Sequence, residues 1–468
     1  MVKLIAPTGV LGVGFSYRSF RQALAHDVDV IGCDAGSTDW GPYHLGTGTS
    51  WSGRDQTRRD LEILLVGARE KNIPLLIGSA GFSGSDDALD WTRDIVLEIA
   101  RERGLSFRLA LIRTEVGPGW IEDKVAGGRV AGLDGRPPLT ADSVREATRI
   151  VAMMGPEPFQ HALAHGADVV LAGRSSDAAI YASVPLSRGV PPGNAWHLGK
   201  LIECGNAISE PVAAGACIVG TVDDDGLTVT PALDGVRCTP QRVAAHMLYE
   251  NASPYLLREP PGILDTTNAV YQQLDDDVTV RVSGATFRPE PYSVRLEGVT
   301  KLGYRSMCLA GLRDPAVVGD IDHYTGEIRR LLDRSAPRRF GVSPGDYTLE
   351  FRRYGLDAVL GPLETAPRDH AYEIGLVTEV TASTQALAHQ LVAASMPYLM
   401  HGVHVDGTRH SANAALAYSP AVADLGPVFR WSVWHAAELD DPLEPFRFEY
   451  LDVTAAGDAG ARREAAHR

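Results

Sequence analysis

This chain is short of cysteine, of basic residues relative to acidic ones, and of long apolar runs. It has 5 cysteines in 468 residues: Cys33, Cys204, Cys217, Cys238 and Cys308. They stand far apart, are odd in number and form no C-x-x-C, which excludes a disulfide framework and a sequence-local zinc or redox site. Such thiols fit a reducing compartment and are mostly small buried hydrophobes. Only Cys33 and Cys204 adjoin polar motifs. Acidic residues outnumber basic ones 59 to 44, for a net charge of -15. Nucleic acid and anionic membranes need a basic face, so neither is an expected partner. No stretch approaches the roughly 20 apolar residues of a membrane span. The N-terminal MVKLIAPTGVLGVGF reads as a strand and a turn, not a signal peptide. A soluble cytoplasmic protein is expected.

Several catalytic signatures are also missing. The turn Thr8–Phe15 is spaced G-x-x-G-x-G, unlike the dinucleotide G-x-G-x-x-G, and no Walker lysine follows. No nucleotide cofactor is expected. No G-x-S-x-G elbow surrounds Ser175, which argues against a serine nucleophile. His401, His404 and His410 cluster, but without the glutamate of H-E-x-x-H they read as polar loop histidines, and no metal ligand is assigned.

What the chain does have is alternation. Strand candidates at 2–6, 28–33, 74–78, 107–113 and 167–172 alternate with helix candidates at 16–26, 55–71 and 87–103. A Gly- and Pro-rich insertion covers 117–138, and 143–154 reads as helix. The expected fold is α/β: a mostly parallel sheet with flanking helices in the N-terminal domain, then a smaller α+β domain. Boundaries are drawn at 1–288, 289–455 and a disordered tail, 456–468.

Two strand ends carry the chemistry. Val169–Ala172 stops at Gly173 and delivers Arg174, Ser175, Ser176 and Asp177; Val28–Cys33 is followed by Asp34, Ala35, Gly36, Ser37, Thr38 and Asp39. Open α/β sheets place ligands at such carboxyl ends. Arg174 offers a planar fork for a carboxylate or phosphate, a group that helix capping does not require. Ser176 or Asp177 can equally cap the next helix. Asp34, Asp39 and His44 are the catalytic acid–base candidates, set against capping by Ser37 or Asp39 and a surface histidine. Backbone N–H groups of Gly12 and Gly14 can hold an anion, or simply form a tight turn. His197, Lys200, Glu203 and Cys204 share one helical stretch, which an ordinary amphipathic helix ending at Gly205 also explains. The expected substrate-binding residues are Gly12, Gly14, Ser37, Thr38, Arg174, Ser175, Ser176, Asp177, His197 and Glu203.

The pieces GCDAGSTDWGPYHLGTG (32–48), ALAHGADVVLAGRSSDAA (162–179) and HLGKLIECGN (197–206) resemble the acyclic terpene utilisation (AtuA-like) family. VRLEGVTKLGYRSMCLAGLRDP (294–315) and GPVFRWSVWHAAELDDP (426–442) resemble its branch found beside a small partner protein. The resemblance implies catabolism of branched acids and isoprenoid acyl-CoA. It suggests an enzyme acting on a small carboxylic acid or its CoA thioester by lyase- or hydratase-type acid–base chemistry. Arg174 would clamp the carboxylate, Asp34 or Asp39 would be the base, and His44 the acid. Two other readings stand beside it. One is a non-catalytic binding subunit working with the small partner protein. The other is a hydrolase whose divalent metal sits on Asp34 and Asp39. A homo-oligomer is expected.

Overall fold

Five short runs rich in Val, Ile and Leu form the centre of the first unit. They are β1 (Val2–Ala6), β2 (Val30–Asp34), β3 (Leu75–Gly78), β4 (Phe107–Arg113) and β5 (Val169–Ala172). Their residues are buried on both faces, so they read as apolar runs rather than as alternation. They lie in the order β1-β2-β3-β5-β4, all parallel. Helices return the chain between them. Ser16 caps Tyr17–Leu24 and Ser85 caps Asp86–Arg103, each by accepting a backbone N–H. Leu89, Ile95, Val96 and Ile99 of the latter face the core, as their spacing predicts.

The computed structural model describes residues 1–212, 215–249, 251–367, 371–408, 414–455 and 459–463. In it the sheet reaches 11 strands and is mixed, which corrects the expected mostly parallel sheet. Ile218–Asp223, Gly226–Pro231, Val280–Ser283 and Val270–Gln273 extend it antiparallel beyond β1, and Arg447–Val453 and Ala459–Arg463 beyond β4. Between Ile218–Asp223 and Gly226–Pro231 the reason is connection length. A tight Asp-Gly turn at 223–226 can join only antiparallel neighbours, because parallel ones need a crossover.

Other expectations shift locally. The insertion at 117–138 contains a helix, Pro118–Ala126, and a short strand, Val130–Gly132. The expected helix at 143–154 divides into a helix, Ala141–Glu146, and a strand, Arg149–Met153, antiparallel to residues 295–299. Ile150, Val151 and Ala152 form a short apolar run that periodicity alone cannot assign.

The chain divides into Met1–Thr300 with Trp431–Arg468, and Lys301–Arg430. The sequence-drawn boundaries, 288 and 455, treat each domain as continuous, whereas the chain returns to its first unit at Trp431. The long strands Ser293–Leu312 and Val422–Glu438 carry it out and back, so no turn marks the crossing. In the tail drawn at 456–468, Ala459–Arg463 pairs with Arg447–Val453; 456–458 and 464–468 lie outside the described residues. The second unit sets antiparallel strands Tyr304–Leu312, Ile374–Ala382 and Tyr347–Tyr354 with helices Ile321–Phe340 and Gln385–Pro397. His401 and His404 are exposed there, and His410 lies outside the described residues. No described helix is long and apolar enough to cross a membrane.

Candidate functional site

The end of β5 is held open by a close backbone approach. A Cβ on Gly173 would come within 2.3 Å of Thr114 Oγ1, so only glycine fits. Thr114 Oγ1 accepts the Arg174 N–H at 2.7 Å and donates to the Gly84 carbonyl at 3.2 Å. The Ser176 N–H and the Arg174 carbonyl both bond to Met154. The segment Arg174–Ser176 is thereby fixed before any side chain is considered.

Its side chains enter a buried charge network. The Arg174 fork spans Glu297, with Nε at 2.9 Å and Nη2 at 3.4 Å, and Nη1 donates to Ser79 Oγ at 3.1 Å. Ser79 adopts a left-handed backbone, φ 47°, unusual for serine and common where function dictates conformation. Glu297 also accepts from Arg295 at 2.7 Å. Two guanidiniums therefore share one carboxylate. Asp177 lies 3.7 Å from Arg174 Nη1. Ser176 occupies the N-cap position of helix Asp177–Ser187, yet its hydroxyl makes no cap and donates instead to Glu259 at 2.6 Å. Lys200 pairs with Glu203.

These groups surround a cavity of about 510 Å³. Arg174, Ser176, Asp177, Lys200, Glu203 and Glu259 line it, with Arg295 stacked over Trp434 on its wall. The size suits a small organic ligand. A much smaller crevice, also lined by Arg174 and Glu297, is bounded by Ser37, Thr38, His44 and Phe82.

Burial sets the acidities. It pushes the Glu259 carboxyl up to about 7, against the Ser176 hydrogen bond. It raises Asp177 against the pull of Arg174, and Glu203 against that of Lys200. Lys200 is driven down by burial and further up by Glu203, so it stays protonated. At Glu297 burial pulls up, but Arg174 and Arg295 outweigh it and the acid is strengthened. Carboxyls weakened as acids by burial in a cleft mark a candidate acid–base centre.

The sequence-named residues fall into three groups. Arg174, Ser176, Asp177 and Glu203 meet at the cavity, and Ser37, Thr38 and His44 at the crevice. Asp34, Ser175 and His197 are buried outside both linings. Asp34 Oδ2 accepts from Gly36 N–H, Ser175 Oγ has no hydrogen-bond partner among the described residues, and His197 faces the Tyr271 hydroxyl at 3.3 Å. Asp34 is held well above the usual range by burial and then by Asp177, with Arg174 opposing. Asp39, Gly12 and Gly14 lie elsewhere. Asp39 is exposed, with its N–H on Ser37 Oγ. The Gly12 and Gly14 N–H groups both donate to Asp60 at 2.9 Å, so an internal carboxylate takes the place where a ligand anion was expected.

Ser79, Glu259, Arg295 and Glu297 join the site without having been singled out. The serine–glycine run after β3, Gly78–Ser85, was a signal for Ser79. A glutamate inside the apolar run VRLEGV was one for Glu297, because a buried charge must be paired. Glu259 had none.

Fold and site define a mixed α/β protein with a polar, titratable cavity at strand ends. The family described as acyclic terpene utilisation family protein AtuA matches residues 54–428, well over half the chain. The chain belongs to that family. No curated protein and no solved structure matches it.

Proposed function

We propose that this protein is a catabolic enzyme for a small carboxylic acid or its acyl-CoA thioester, working by lyase- or hydratase-type acid–base chemistry. One observation carries the proposal. Arg174 and Arg295 share Glu297, leaving guanidinium charge for a ligand beside the Glu259 carboxyl, whose acidity burial moves to about 7. Arg295 and Arg174 orient the substrate carboxylate or carbonyl. Glu259 removes the proton next to that carbonyl, and the C–H electron pair becomes the new double bond. Asp177, whose carboxyl burial raises above its ordinary value, protonates the departing hydroxyl, which leaves as water. The Lys200 ammonium adds positive field where the enolate oxygen develops. Positioned proton transfer of this kind contributes about 10²–10⁴-fold. Membership of the acyclic terpene utilisation family agrees with such a substrate class.

The test is a pH–rate profile. Glu259 acts as a base only when ionised, so kcat/KM rises with pH through about 7. Glu259→Gln should lower kcat roughly 10²–10⁴-fold and abolish that limb. A variant that keeps the wild-type limb would reassign the base.

A further inference from the structure

Helix Pro192–Ile202 ends beside three donor groups of metal-ligand type. Glu203, Cys204 and His246 each present one ligand atom, and these atoms all lie within 4.8 Å of one another. Among the described residues no other trio of His, Cys, Asp or Glu does this, and the Asp34–Asp39 pair weighed above is not one.

The histidine gives the independent sign. His246 is 7% exposed. Its ring hydrogen-bonds the Lys200 backbone, and Nε2 has no partner among the described residues. An imidazole pinned through one nitrogen, with the other bare, is how metal-bound histidines are oriented. Lys200 holds one oxygen of Glu203, Oε1, and leaves Oε2 for another partner.

The backbone that carries Glu203 and Cys204 is tightly seated. A Cβ on Gly9 would come within 3.0 Å of Cys204 Cα, and Gly205, at φ +54°, lies against Thr8. The donor chemistry then chooses the ion. One imidazole, one thiolate and one carboxylate suit a borderline ion such as Zn²⁺, whereas Mg²⁺ and Ca²⁺ ask for oxygen alone. Bonds of about 2.0–2.3 Å in a tetrahedron place donors roughly 3.3–3.8 Å apart, so the trio would close by about 1 Å on loading.

We propose that Glu203, Cys204 and His246 form a binding site for a Zn²⁺-class ion, with a fourth position open to water or a ligand. Glu203 also lines the Arg174 cavity, so the ion would sit at its wall. The inference does not rest on the reaction proposed above, because its test reads binding rather than turnover.

Chelator-stripped full-length protein would be titrated with Co²⁺ and then Zn²⁺. One equivalent of Co²⁺ should give ligand-field bands of a tetrahedral site and a thiolate-to-cobalt charge-transfer band, both erased by Zn²⁺. Cys204→Ser should lose the charge-transfer band. His246→Gln should weaken Zn²⁺ binding roughly 100-fold or more, since even residues behind the ligands cost 10–100-fold. Cys238→Ser, a buried thiol outside the trio, should change neither. Circular dichroism confirms that each variant is folded, and Cys204→Ala and His246→Asn replace any that is not. Failure of the folded wild type to take up one equivalent overturns the proposal. So does equal uptake by folded variants at Cys204 and His246.

Discussion

Glu297 is the residue on which the site's electrostatics turn. It is 1% exposed and joins two guanidiniums. Removing one member of a buried pair strands the other, at roughly 3–5 kcal/mol. Glu297→Ala should therefore destabilise the protein by about that much in denaturant unfolding, and a loss under about 1 kcal/mol would contradict the assignment. The pH dependence has a definite sign. The pKa of the folded Glu297 carboxyl lies below the ordinary 4.5, so the pairing stabilises above that pH and the stabilisation is lost as pH falls through the folded value. Glu297→Gln should flatten the acid side of a melting-temperature profile. Arg174 was legible in the sequence because a strand-terminal glycine followed by arginine needs an explanation that capping does not give. Its pairing with Glu297 was not, because Glu297 lies 123 residues away and only the fold makes them neighbours.

At the scale of elements, the β1 turn shows how one pattern serves two purposes. Gly12 and Gly14 present N–H groups as an anion site would, and the anion is Asp60 of helix Arg54–Lys71. Asp60→Ala should strip both N–H groups of their shared acceptor and cost about 2–3 kcal/mol in thermal or denaturant unfolding, while leaving KM unchanged. A raised KM with unchanged stability would return the turn to the ligand site. The parallel core and its helices were legible, since buried strands and capped amphipathic helices write their pattern locally. The antiparallel flanks were not, because pairing direction depends on connections as much as on composition. Arg149–Met153 was misread as helix because five residues are too few to show a period.

For the whole molecule, the family was within reach, but the interrupted first unit was not. Trp431 and Trp434 lie far along the chain yet belong with Met1–Thr300, and Trp434 lines the cavity under Arg295. The central claim is that this cavity recognises an acid or its thioester through guanidinium charge. Calorimetric titration of short branched carboxylates and their CoA thioesters against wild type and Arg295→Met measures it directly. The account predicts that at least one ligand of this class binds the wild type and that the variant loses about 1.5–3 kcal/mol, roughly 10–100-fold in Kd. Equal affinity in the two proteins, or no binding of any such ligand to the folded wild type, would contradict it.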